Sequence, residues 1–219
     1  MALTKYNYNS FDITPVASKA LAFNSDADGF TTATEGSMVL IKTMTASTSA
    51  NLTFVNGADD VVLDSTYPIY VFKWINIHPG TDDQDFAVNF RDGGSAYDAP
   101  KTSACFGADH KEDDSSALLE VKAGNDLAQS TAVQDLGAST GADNDQSTSG
   151  KLWLFNPSST TFVKNWMSRS SQARHSDAAQ DFFTAGYCNT TTAIDGVQFT
   201  YGSGNIDSGT ITLYGIKDS

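Results

Sequence analysis

Apolar and polar residues alternate with a period of two along most of this chain, and the 3.6-residue period of an amphipathic helix is weak almost everywhere. "GSMVLIKTM" (36–44) is rich in β-branched and apolar residues. "ANLTFVNG" (50–57) alternates Leu52 and Phe54 and stops at Asn56-Gly57, a strong turn pair. "YPIYVFKWINIHPG" (67–80) is the longest apolar run and ends at Pro79-Gly80, while "DFAVNF" sets Phe86, Val88 and Phe90 on one face. "TSACF" (102–106) and "SALLEVK" (116–122) are shorter strand patterns. "KLWLFN" (151–156) and "TTFVKNWM" (160–167) flank Pro157-Ser158-Ser159 and predict a hairpin. "DFFTAGY" (181–187) precedes a closing pair at 193–201 and 210–216.

About ten strands separated by Gly, Asn, Asp, Ser and Pro clusters predict a mostly-β chain, an antiparallel sandwich or barrel. One stretch reads differently. In "DLAQSTAVQDLG" (126–137), Ala128, Ala132, Val133 and Leu136 share a helical face before a glycine stop, which predicts one short helix. "ASTGADNDQSTSG" (138–150) holds no large apolar residue and predicts an exposed loop. Strand patterning resumes beyond it, so residues 1–219 read as one domain with an elaborated region at about 92–150. The final strand, "TITLYGI", puts Ile211 and Leu213 opposite Thr212 and Tyr214, and is expected to present an edge to the preceding strand or to another copy.

Composition narrows the chemistry. The net charge of −13, from 26 acidic and 13 basic residues, repels phosphate backbones, so no nucleic-acid partner is expected. No apolar run approaches the roughly 20 residues of a membrane-spanning helix, and "MALTKYNYNS" lacks the apolar core of a signal peptide. Membrane insertion is therefore not expected. Cys105 and Cys188, the two cysteines, read as separate buried thiols.

The best metal-like pattern is "NSDADGFTTATE". Asn24, Asp26, Asp28 and Glu35 fall at calcium-loop spacing around Gly29, but Thr31 stands where an apolar residue is usual and neither flank is helical. A solvated Asp-Gly turn is the preferred reading, and no metal or cofactor is expected. His78, His110 and His175 show no zinc-ligand spacing, and no nucleophile elbow is present. Asp82, Asp83, Asp85, Asp113 and Asp114 read as solvated faces rather than a glycosidase pair. No catalytic residue is assigned.

"LFNPSSTTFVKNW" (154–166), "AGYCNTTTAIDGVQF" (185–199) and "SGNIDSGTITLYGIKDS" (203–219) resemble a family of virion structural proteins from marine tailed bacteriophages, notably those of cyanobacteria. "LTKYNYNSFDITPVAS" (3–18), "STYPIYVFKWINIHP" (65–79) and "DLAQSTAVQDL" (126–136) resemble the same family, so the likeness spans nearly the whole chain. The C-terminal part is similar to a β-sandwich module shared by many phage tail and surface proteins. Trp153, Trp166 and Cys188 depart from the family pattern. The fold is expected to be an antiparallel sandwich of jelly-roll type, and the resemblance implies a non-enzymatic place on the virion exterior, in a capsid decoration, fibre or tail component. Such a protein is made in the host cytoplasm and contacts copies of itself and other virion proteins. Tyr6, Tyr8, Phe11, Tyr201 and Tyr214 are candidate contacts. A second reading is a host-glycan-binding module using Trp74, Trp153, Trp166 and Tyr97; a glycan-cleaving tail enzyme is the third.

Overall fold

A computed structural model describes residues 21–23, 30–32 and 37–217. The described residues form strands and no helix, and none of them makes a helix long and apolar enough to cross a membrane. The strands are β1 (Leu21–Phe23), β2 (Phe30–Thr32), β3 (Met38–Thr45), β4 (Leu52–Val55), β5 (Ile69–Pro79), β6 (Gln84–Arg91) and β7 (Lys101–Lys111). They continue as β8 (Ala117–Val121), β9 (Gln134–Thr140), β10 (Thr148–Phe155), β11 (Lys164–Arg174), β12 (Ala178–Cys188), β13 (Gly196–Tyr201) and β14 (Ile206–Ile216). β1 and β2 pair with each other. The other twelve belong to one antiparallel sheet that curls most of the way toward a barrel.

Two ladders make up that sheet. One runs β3-β14-β5-β10-β11-β12-β7-β8 and the other β9-β6-β13-β4. They join where Arg174 on β11 pairs with Thr140 on β9. Between them lies an aromatic core. Phe199 on β13 stands 5.5 Å from Phe72 on β5, 5.9 Å from Phe86 on β6 and 6.3 Å from both Phe54 and Trp74. Every one of these rings is buried, as are Leu152, Leu154, Ile211 and Leu213. The period-two pattern places them here: on a pleated strand alternate side chains share a face.

The C-terminal strand is not an edge. β14 lies between β3 and β5 and pairs along both sides, whereas β13 pairs with β6 and β4 in the other ladder. A strand whose inward face carries Ile211 and Leu213 buries more when both flanks are covered, so the predicted pairing of the last two strands gives way to a crossover between ladders. Gly209 allows the fit. Its φ of +108° suits glycine alone, and a Cβ there would come within 2.3 Å of the Asn76 carbonyl oxygen, at an irregularity in the β14–β5 register.

The predicted helix at 126–137 is absent. Its backbone is claimed by β7: Lys101 and Ser130 form a two-way bridge, Ser103 N donates to Leu127 O, and the Asp126 carboxylate accepts the Cys105 amide. From Gln134 the chain is already strand β9. The exposed loop predicted at 138–150 shrinks to the turn between β9 and β10, because polar residues there face inward as strand positions. The hairpin around Pro157 is present as β10 and β11, with Trp153 opposite Met167.

β9 explains the polar interior of one end. One of its edges pairs with β6; the other pairs with β11 only at Thr140 and otherwise meets side chains of β11 and β12. Ser170 and Gln172 donate to the carbonyls of Leu136 and Ala138, and Ala138 N donates to Gln180 Oε1 at 3.1 Å. Thr184 Oγ1 donates to Asp135 O at 3.2 Å. These side chains satisfy backbone groups that a neighbouring strand would otherwise pair, which burial requires.

Candidate functional site: a cationic trough on the extended sheet

Beyond β10, the first ladder continues as an arm of β11, β12, β7 and β8. Its outward face forms, with β5 and β10, a concave trough of about 940 Å³. A single cross-strand row crosses this face. Thr43 faces Thr212, Thr212 faces Lys73, Lys73 faces Lys151, and Lys151 faces Arg169. The row goes on through Phe183 and Phe106 to Val121. Three cations thus stand directly opposite one another, at Cβ separations of about 4.5–5.5 Å for such pairs.

Each cation is held differently. Arg169 donates from Nε and Nη2 to Asp181 at 3.0 and 2.7 Å and stacks 4.7 Å from the Phe183 ring. The hydrogen bonds to Asp181 raise its already high pKa, so it stays charged. The Lys151 ammonium lies 4.6 Å over the Trp153 ring. Lys73 makes no ion pair among the described residues. On the trough floor, Gly150 lets the backbones of β10 and β11 close over Trp74; a Cβ there would meet Arg169 O at 2.5 Å and the Trp74 ring at 2.6 Å.

The arm's outward surface is apolar toward its end. Phe106 and Phe183 stack at 4.7 Å, nearly parallel, yet Phe106 is 47% exposed. Leu119 is 73% and Val121 71% exposed on β8, which among the described residues pairs with β7 alone. On the inward side Asp109 is bound by Lys122 at 2.6 Å and by Gln180 at 2.6 Å. Burial alone would raise its pKa; the hydrogen bonds from Lys122 and Gln180 outweigh that and keep it below the usual value.

A second polar cluster sits where the arm meets the core. Lys164, Cys188 and Lys101 form one inward row across β11, β12 and β7. Lys101 is fully buried; its ammonium donates to Asn89 Oδ1 at 2.5 Å and to Ala99 O at 2.9 Å. Burial pushes its pKa down to about 8. Lys164 donates to Thr190 O at 3.1 Å and is lowered by burial too. Burial pushes the Cys188 and Cys105 thiols up to about 12, so both stay protonated and unreactive at neutral pH, and the two cysteines are unpaired.

The residues singled out from sequence are scattered. Trp74 and Trp166 are core, while Trp153 alone of the three lies on the outward face. Tyr97 is half-buried against Arg91 rather than displayed on a loop tip. Tyr201 is buried and donates to Ile77 O at 3.1 Å; Tyr214 is half-buried on the outward face. His78 bonds to Gln146 O, His110 to Asp114 and His175 to Asp83, in three separate places. Asp85 and Asp82 accept the amides of Ser139 and Ala142, clamping turns. Among the described residues no three His, Cys, Asp or Glu side chains gather into a metal-holding group. Asn24, Asp26, Asp28 and Glu35, with Tyr6, Tyr8 and Phe11, lie outside the described residues.

No family model, curated protein or solved structure matches the chain. Sequence reasoning did not single out Lys73, Lys151 and Arg169. The available signal was a charged residue at an outward position of an apolar strand, as in "VFKWINI" and "GKLWLF".

Proposed function

We propose that this chain is a non-enzymatic structural protein on the exterior of a tailed-phage particle, a decoration, fibre or tail component. It is made in the host cytoplasm and works through contacts with copies of itself and other virion proteins. The observation that carries the reading is β8: a strand edge unpaired among the described residues and flanked by exposed Leu119 and Val121. Such an edge is a template for strand pairing, and exposed apolar residues clustered beside it mark an interaction surface. The resemblance of "SGNIDSGTITLYGIKDS" to phage surface modules supports the virion setting. The strand order supports a jelly roll. β3-β14-β5-β10 and β4-β13-β6-β9 face each other with Greek-key crossovers, and β7, β8, β11 and β12 are inserted hairpin strands that lengthen the first ladder.

Analytical ultracentrifugation of the purified chain tests this. A concentration-dependent oligomer that Val121→Asp returns to monomer is the expected result, together with the chain in purified particles by immunogold labelling. A strict monomer at all concentrations that is also missing from particles overturns it.

A further inference from the structure

The row Lys73–Lys151–Arg169 is costly to the fold. Like charges directly opposite across strands destabilise a sheet, and among the described residues only Arg169 of the three has a carboxylate partner on this face, Asp181. The chain holds 13 basic residues against 26 acidic ones, yet three of the 13 are adjacent across neighbouring strands in one concavity. The arrangement spans about 10 Å, two strand spacings. It gains most from a ligand that brings negative charge into the trough.

We propose that the trough binds an acidic polysaccharide, a chain of sugars carrying carboxylate or sulfate groups. Lys73 and Lys151 take the anionic groups. Trp153 holds the Lys151 ammonium in place, and the Asp181 fork fixes Arg169, so little side-chain freedom is lost on binding. Ser149 and Ser171 line the trough as hydroxyl partners for sugar hydroxyls, and Ile75 and Leu119 supply apolar walls for the C–H faces of sugar rings. This mixture suits a glycan better than a nucleic acid. The chain's overall charge of −13 repels a dense phosphate row. The exposed Phe106 ring is stacked on the half-buried Phe183 rather than open to bases. The inference concerns a ligand of the trough and does not depend on the virion reading.

Isothermal titration of the full chain with polygalacturonate, dextran sulfate, neutral dextran and a single-stranded oligonucleotide tests it. Saturable binding to at least one acidic polysaccharide, with none to neutral dextran, is expected. Lys73→Gln/Lys151→Gln should weaken it roughly tenfold. Raising salt toward 1 M should weaken it too, since the screening length shrinks to about 3 Å. An unchanged circular-dichroism spectrum and Tm show that the double variant is folded; if it is not, Lys73→Gln alone serves. Binding to no polysaccharide, unchanged binding by the folded variant, or equal binding of the oligonucleotide overturns the proposal. Salt-sensitive self-association lost in the variant, without glycan binding, also overturns it, and assigns the trough to the acidic turn at 112–114 of a second copy.

Discussion

The two halves of this molecule bury opposite things. Between β3-β14-β5-β10 and β4-β13-β6-β9 the interior is aromatic and aliphatic, centred on Phe199. In the arm the inward positions include Ser168, Ser170, Gln172, Gln180 and Thr184 beside Phe182 and Cys105, while Phe106, Leu119 and Val121 face outward. The first half is held by removal of apolar surface from water. The second is held by side chains that substitute for a strand along β9. The polar interior is tolerated because Ser170, Gln172, Gln180 and Thr184 all find partners, although the buried Ser168 hydroxyl has none among the described residues.

Breaking the first half should cost the most. Phe199→Ala removes the ring at the centre of the aromatic cluster and is expected to destabilise by about 3–5 kcal/mol, read from the urea midpoint. Lys101 tests the junction. Its folded-state pKa, about 8, lies below the ordinary 10.5, so the folded chain binds fewer protons there than the unfolded chain. The wild type should gain stability relative to Lys101→Met as pH rises from about 8 to 10.5, by up to about 3 kcal/mol. Thermal melts of both proteins across that range check it; a constant difference refutes it.

The arm should respond to loss of a hydrogen bond rather than of volume. Gln180→Leu leaves Ala138 N without its acceptor and takes one hydrogen bond each from Gln172 Nε2 and Asp109, and should cost about 2 kcal/mol despite the gain in apolar surface. Its amide exchange should rise on β9 before the aromatic core, measured by hydrogen–deuterium exchange. Lys151→Gln should change stability least, by under about 0.5 kcal/mol, and in the stabilising direction at low salt, because it relieves repulsion from Lys73 and Arg169.

How much was legible in the sequence divides along the same line. In the aromatic half the period-two pattern is written in apolar residues, so β4, β5, β6 and β13 were readable within a few positions. Along β11 beyond Trp166 the inward residues are polar, and the pattern vanishes. "SRSSQAR" carries Ser168, Ser170 and Gln172 inward and has no hydrophobic signal, so β11 was cut short at Met167 when it runs to Arg174. Gln134, Leu136 and Thr140 hid β9 in the same way, and the alanines before it imitated a helix. The trough was hidden for a different reason. Its cations come from the β10–β11 hairpin and from β5, far away in sequence, and only the pairing register brings them into one row.

The two cysteines sit at different depths of the arm, Cys188 at its junction with the body and Cys105 farther out. Cys188 belongs to the aromatic cluster and Cys105 lies on β7 within the arm. Both are buried and protonated, so an alkylating reagent can reach either one only while its surroundings are open. The molecule therefore carries a pair of native sentinels, and the ratio of their labelling rates is a direct clock for whether the arm breathes apart from the body or the whole chain opens at once.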